Sequence, residues 1–112
     1  MEQNQLIGNI QNELHIIEEY VTSYYNKQLP SGRSYILNIE TFKEKIKSLR
    51  TRCLELNEVD STICPKNICT ELRDIINEDI PHIYYETKDP DEISERINGI
   101  FYGVKNLLAF AK

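Results

Sequence analysis

Asp89-Pro90-Asp91-Glu92-Ile93-Ser94-Glu95-Arg96-Ile97-Asn98-Gly99-Ile100-Phe101-Tyr102-Gly103-Val104-Lys105-Asn106-Leu107-Leu108-Ala109-Phe110-Ala111-Lys112 is the stretch that the rest of the chain is arranged to receive. An aspartate at the N-cap can accept hydrogen bonds from the orphan amides of a first helical turn. Pro90 follows at N1, where a missing N–H costs nothing, and Glu92 at N3 is placed to close a capping box. Ile93, Ile97, Ile100, Val104, Leu107 and Ala111 then recur at alternating intervals of four and three, one stripe of an α-helix. Phe101 and Leu108 widen the stripe into a face that needs apolar partners on more than one side. Gly99 and Gly103, one turn apart, are expected to admit a neighbouring backbone.

Working outward, the N-terminal segment of about residues 4–26 carries Ile7, Ile10, Leu14, Ile17, Val21 and Tyr24 at heptad spacing, flanked by Leu6, Ile16, Tyr20 and Tyr25. Pro30-Ser31-Gly32 supplies a stop and a turn. A second pattern, Ile39, Phe42, Ile46, Leu49, Cys53 and Leu56, predicts a helix over 35–57. Ser34 or Asn38 could cap it, and Tyr35, on the same face as Ile39, favours Ser34. A third pattern starts at Pro65, suited to N1, and carries Ile68, Leu72, Ile75, Ile76, Ile80 and Ile83 over 65–86. Pro81 lies inside it, removing a backbone donor and pushing against the carbonyl of Asn77, so a kink or break is expected there. The fourth helix is expected over 89–112. Four helices of similar length and short connections predict an all-α, single-domain, antiparallel four-helix bundle over residues 1–112, running up-down-up-down.

Composition agrees with that architecture and narrows function only broadly. A chain of 112 residues buries roughly two-thirds of its unfolded surface, enough for a core without disulfides or structural metal. Charged residues at 28% and hydrophobic ones at 40% are an ordinary globular balance. The net charge of −5 argues against general affinity for nucleic acid phosphates. No apolar run approaches the roughly 20 residues a membrane span needs, and Met1-Glu2-Gln3-Asn4 lacks the order of a signal peptide. Three cysteines without an export signal fit a reducing compartment, so the expected location is cytoplasmic.

The constellations that carry known chemistries are missing. The sequence has no Glu-x-x-His pair of the kind that di-iron bundles use. Cys64-x4-Cys69 is too wide for a usual zinc pair, and Cys53 falls on the apolar seam, so no metal and no cofactor are expected. No Gly-x-Ser-x-Gly or phosphate-cradling glycine loop occurs. Arg73 and His82 are eight residues apart with Pro81 between them, which departs from the shorter Arg-to-His spacing of helical RNases of the HEPN type.

Two features are available for recognition instead. Lys43, Lys47 and Arg50 share one face of the second helix, among Lys45 and Arg52, with Glu44 as the only acid between them. Tyr24, Tyr25, Tyr84 and Tyr85 are expected at one end of an antiparallel bundle, where tyrosine either closes the core or offers contact area with a polar tip. The reading that follows is a small helical protein that binds another protein, without catalysis: an adaptor, an inhibitor or a small subunit. The alternative is an accessory protein that meets nucleic acid through the basic face of the second helix. An unrecognised enzyme or metal protein stands third, and a homodimer is possible.

Overall fold

Four amphipathic rods turn their apolar sides inward, each for the reason its residue spacing gives. The computed structural model describes residues 3–26 and 37–111, with side chains over 3–24 and 37–111. Helix α1 spans Gln3–Asn26, α2 Ile39–Val59, α3 Lys66–Asp74, α4 Ile80–Glu86 and α5 Pro90–Leu107. A π-helical segment, Ile75–Asp79, joins α3 to α4 as one rod. The result is an antiparallel four-helix bundle with no strand among the described residues. In it, α1 lies between α2 and α5, α2 packs on α3, and α4 packs on α5. The turn expected at Pro30-Ser31-Gly32, the cap at Ser34, the start at Tyr35 and the side chain of Tyr25 lie outside the described residues.

Helix α2 buries Ile39, Phe42, Ile46, Leu49, Cys53 and Leu56, the whole of its heptad seam. Opposite it, α1 buries Leu6, Ile10, Leu14, Ile17 and Val21, with Ile7, Tyr20 and Tyr24 half-buried at the margins. Burial of each such apolar side chain contributes about 1.5–3 kcal/mol, so these two seams are a large share of what stabilises the fold. Asp60, which follows α2, bends the chain into the next helix. Its carboxylate accepts the Thr62 N–H at 3.0 Å and the Gln3 amide at 2.7 Å, which also fastens the start of α1. Pro65 is the residue before α3 and not its first helical residue.

The start of α2 differs from the favoured expectation. Asn38 is extended (φ −104°, ψ 127°) and its side chain accepts the Thr41 N–H, so α2 begins at Ile39. The reason is tertiary. The Tyr20 hydroxyl of α1 accepts the Asn38 N–H at 2.7 Å, and the Ser94 hydroxyl of α5 accepts the Leu37 N–H at 3.0 Å. Both amides are thereby taken up by side chains from other helices.

That contact also turns α5. Its buried seam is Ser94, Ile97, Phe101, Val104, Leu108 and Ala111, while Ile93, Ile100 and Leu107 are only half-buried. Gly99 and Gly103 consequently face outward, and a Cβ added at either would meet nothing within 4 Å. They do not mark a close backbone approach. At the N-terminus the Asp89 side chain accepts the Asp91 N–H at 3.1 Å. The expected capping box is replaced by a relay, in which Thr87 Oγ1 accepts the Asp89 N–H at 3.0 Å and donates to Glu92 at 2.9 Å. The helix ends at Leu107, short of 112, and a 3₁₀ turn at Ala109–Ala111 lets both Leu108 and Ala111 enter the core.

In the third rod the buried residues Ile68, Leu72, Ile76, Ile80 and Ile83 are spaced four, four, four, three. On a straight α-helix each step of four drifts by about 40°, so three of them would carry Ile80 well off the face begun by Ile68. The π turn takes up that excess: the Ile80 N–H reaches back to the carbonyl of Ile75 instead of that of Ile76. Pro81 follows at once, and the wider turn before it accommodates the ring without the chain leaving the helix.

Ser94 is fully buried, and its hydroxyl also donates to the Pro90 carbonyl at 3.1 Å. Replacing it with alanine leaves the Leu37 N–H buried without a partner. Ser94→Ala is therefore expected to destabilise the protein by about 1–3 kcal/mol, although alanine is the better helix former. Urea melts of the two proteins measure this; a neutral or stabilising change would show that the serine bond does not hold the entry to α2.

Candidate functional site

The π segment borders two clefts. On its α2 side, Lys47, Arg50 and Thr51 face Arg73, Ile76 and Asn77 across a cleft of about 260 Å³. On its α5 side, Glu78, Asp79 and His82 face Arg96 and Ile100 across a groove of about 440 Å³. π-Helical turns recur at functional sites because the widened backbone re-aims the side chains around it. A further groove of about 450 Å³ runs between α1 and α5, past Leu14, His15 and Phe101. It is crossed by the ion pair of Lys105 with Glu18 at 2.6 Å, and the Lys105 ammonium also stands 5.8 Å from the centre of the Phe101 ring.

In the α2 cleft the central group is Arg50. Its Nε donates to the carbonyl of Cys69 at 2.9 Å, which fixes the guanidinium plane against α3. Lys47 pairs with Glu44 at 3.3 Å and Arg73 with its neighbour Asp74 at 3.4 Å, both at the exposed rim. Arg50 pairs with no carboxylate among the described residues. Of the three basic residues expected to share a surface, Lys47 and Arg50 line this cleft and Lys43 does not. Lys45 is directed elsewhere, its ammonium 5.3 Å from the centre of the Tyr20 ring. Arg73 completes the cleft from a different helix.

Beside the α5 groove, two of its lining residues, His82 and Arg96, converge on Glu86. His82 Nε2 lies 2.7 Å from one carboxylate oxygen, and Arg96 pairs with the other. The hydrogen bond from Arg96 is the main reason the Glu86 carboxyl sits below its ordinary range, with the charges of Arg96 and His82 adding to it. The same bond raises the already high value of Arg96. The cluster clamps α4 to α5 and leaves Tyr85 beside it, 85% exposed, with its ring 6.5 Å from that of His82.

The tyrosines at this end have different environments. Tyr24 donates to Asp91 at 3.3 Å, linking α1 to α5. Tyr84, 41% exposed, donates to Glu40 at 2.7 Å, linking α4 to the start of α2, and this bond to a carboxylate raises its phenol above the usual range. Tyr24 and Tyr84 thus tie helices together, whereas Tyr85 projects.

The three cysteines, buried and reduced, stand together between α2 and α3. The neighbouring Cys53 thiol, and to a lesser degree that of Cys69, draws Cys64 below the ordinary thiol range. Interaction with Cys64, together with burial, pushes Cys53 up, and burial chiefly raises Cys69. Asn57 donates to the Cys64 carbonyl at 2.9 Å, so Arg50, Cys53 and Asn57 form one stripe of α2 that grips the path into α3. Among the described residues, no group of three or more His, Cys, Asp or Glu side chains is arranged to hold a metal ion.

Neither a protein-family model, nor a curated protein, nor a solved structure matches this chain. Among the described residues, no helix is long and apolar enough to cross a membrane.

The Glu86 clamp carries a signed pH dependence. Because its folded value lies below the unfolded one, its contribution is present above about pH 4.3, the unfolded value. The contribution is lost as pH falls through the depressed folded value. Glu86→Gln should therefore lower the melting temperature at pH 7, and the loss should shrink as pH falls from about 4.3 toward 2.5. Melts of both proteins across that range decide it; an equal loss at both ends would mean that the carboxylate charge is not what holds α4 to α5.

Proposed function

We propose that this chain is a protein-binding module whose contact surface is the α4 edge, with Tyr85 as its anchor and the α5 groove beside it. The observation that carries this reading is the exposure of Tyr85 on a helix whose isoleucines, Ile80 and Ile83, are both fully buried. An aromatic ring held in solvent gains nothing for the fold, and tyrosine is among the residues that dominate interface energetics when a partner covers it. Next to it the groove offers Glu78, Asp79, His82 and Arg96, a set of hydrogen-bonding and charged groups around the half-buried Ile100. That is the mixture of an apolar patch with a polar rim that protein interfaces use. The acidic balance of the chain favours a protein partner over a nucleic acid.

The test separates folding from binding. Tyr85→Ala should leave stability within about 0.5 kcal/mol of the parent, as exposed sites do. A photo-crosslinking residue placed at position 85 in cells should give a discrete protein adduct, and one placed at the exposed Glu58 should not. Adducts equal at both positions, or absent at 85, would remove the α4 edge as a contact surface.

A further inference from the structure

We propose that the cleft between α2 and the π segment receives a phosphoryl group carried on a side chain of the protein partner, an inference that rests on the protein-binding reading above. The cleft gathers three cations, Lys47, Arg50 and Arg73, with the Asn77 amide and, at its floor, the buried Ile76. On a chain of net charge −5 such a convergence opposes the general trend of the surface. Its inner member is the decisive one. Arg50 spends its Nε on the Cys69 carbonyl, so the guanidinium is oriented in advance while both terminal nitrogens stay available. It is half-buried and pairs with no carboxylate among the described residues. The two rim cations are held by exposed pairs of 3.3 and 3.4 Å, which are weak and exchange partners readily.

An incoming dianion could therefore take bidentate bonds from Arg50 and draw Lys47 and Arg73 inward. Three acceptor oxygens and nearly two charges suit this donor set better than the single charge of a carboxylate. The size of the cleft, about 260 Å³, falls short of the roughly 300–1,000 Å³ typical of sites for whole small molecules. It fits a terminal group projecting from something larger. A nucleic acid strand would need cations spread along a track, and here they converge while Lys45 is engaged with Tyr20.

The experiment is a titration of the isotopically labelled full chain, followed by amide and arginine side-chain NMR. The probes are O-phosphoserine, inorganic phosphate, glutamate and a twelve-residue single-stranded RNA. O-phosphoserine and phosphate should shift residues 47–51 and 73–77 saturably, with dissociation constants on the order of millimolar or tighter. Arg73→Gln and Lys47→Gln, both at exposed positions, should each weaken this roughly tenfold, the usual effect of removing one charged hydrogen bond. Equal shifts from glutamate would overturn the preference for a phosphoryl group. Binding of RNA alone, with a steep salt dependence, would overturn both this inference and the protein-binding reading. No shift from any probe, or shifts spread evenly over Lys43, Lys66 and Lys88 as well, would remove the cleft as a site while leaving the α4 edge untouched.

Discussion

Burying Ile68, Leu72, Ile76, Ile80 and Ile83 on one side of a single rod is the constraint on which both candidate surfaces depend. The spacing of these residues does not fit a uniform α-helix, and the chain resolves the conflict with a five-residue π turn instead of a break. That choice sets the direction of everything after it. Ile80 and Ile83 return to the core, Glu86 comes within reach of His82 and Arg96, and Tyr85 is left outside. Arg73, just before the turn, and Asn77, within it, lie on the side of the rod that faces Arg50.

The seams of α1 and α2 were legible because burial is their only demand, and heptad spacing states that demand directly. Legibility fails where a polar group replaces an apolar one on the seam. Ser94 takes a core position in α5 because it must answer the Leu37 N–H, 57 residues away, and no periodicity in apolar residues can register that. The turn of α5 by part of a residue, and the outward placement of Gly99 and Gly103, both follow from it. The choice between Ser34 and Asn38 as a cap was undecidable locally for the same reason, since both residue types can cap. It is settled by Tyr20 and Ser94, which hold the amides of Asn38 and Leu37 in an extended segment.

For the candidate surfaces, the sequence displayed the parts that lie on one helix. Lys47 and Arg50 were visible as neighbours on α2, whereas Arg73 joins them only through packing. The pair of His82 with Glu86 has the spacing of one helical turn and could have been read, as could the run of four-residue intervals that foretells the π turn. Arg96, which completes the clamp, belongs to another helix. Tyr84 and Tyr85, adjacent in sequence, were expected to share one fate. They stand about 100° apart around a helix, so one can meet α2 while the other faces solvent.

That angular separation bears on why Tyr85, and not Tyr84, suits recognition. The Tyr84 hydroxyl is already committed to Glu40, so a partner that recruited it would have to replace a bond to a carboxylate. Tyr85 has no such commitment of its phenol among the described residues, and it stands on a rod anchored on both sides, by Ile80 and Ile83 in the core and by the Glu86 clamp to α5. A tyrosine has only two rotatable bonds to order, and a rigid helix has little backbone freedom left to lose. Covering such a ring therefore yields nearly the full gain of burying it, with little of the ordering cost that weakens contacts made by loops. The π turn thus sets the side of the rod on which Tyr85 stands, while the carbonyl of Cys69 sets the plane of the Arg50 guanidinium.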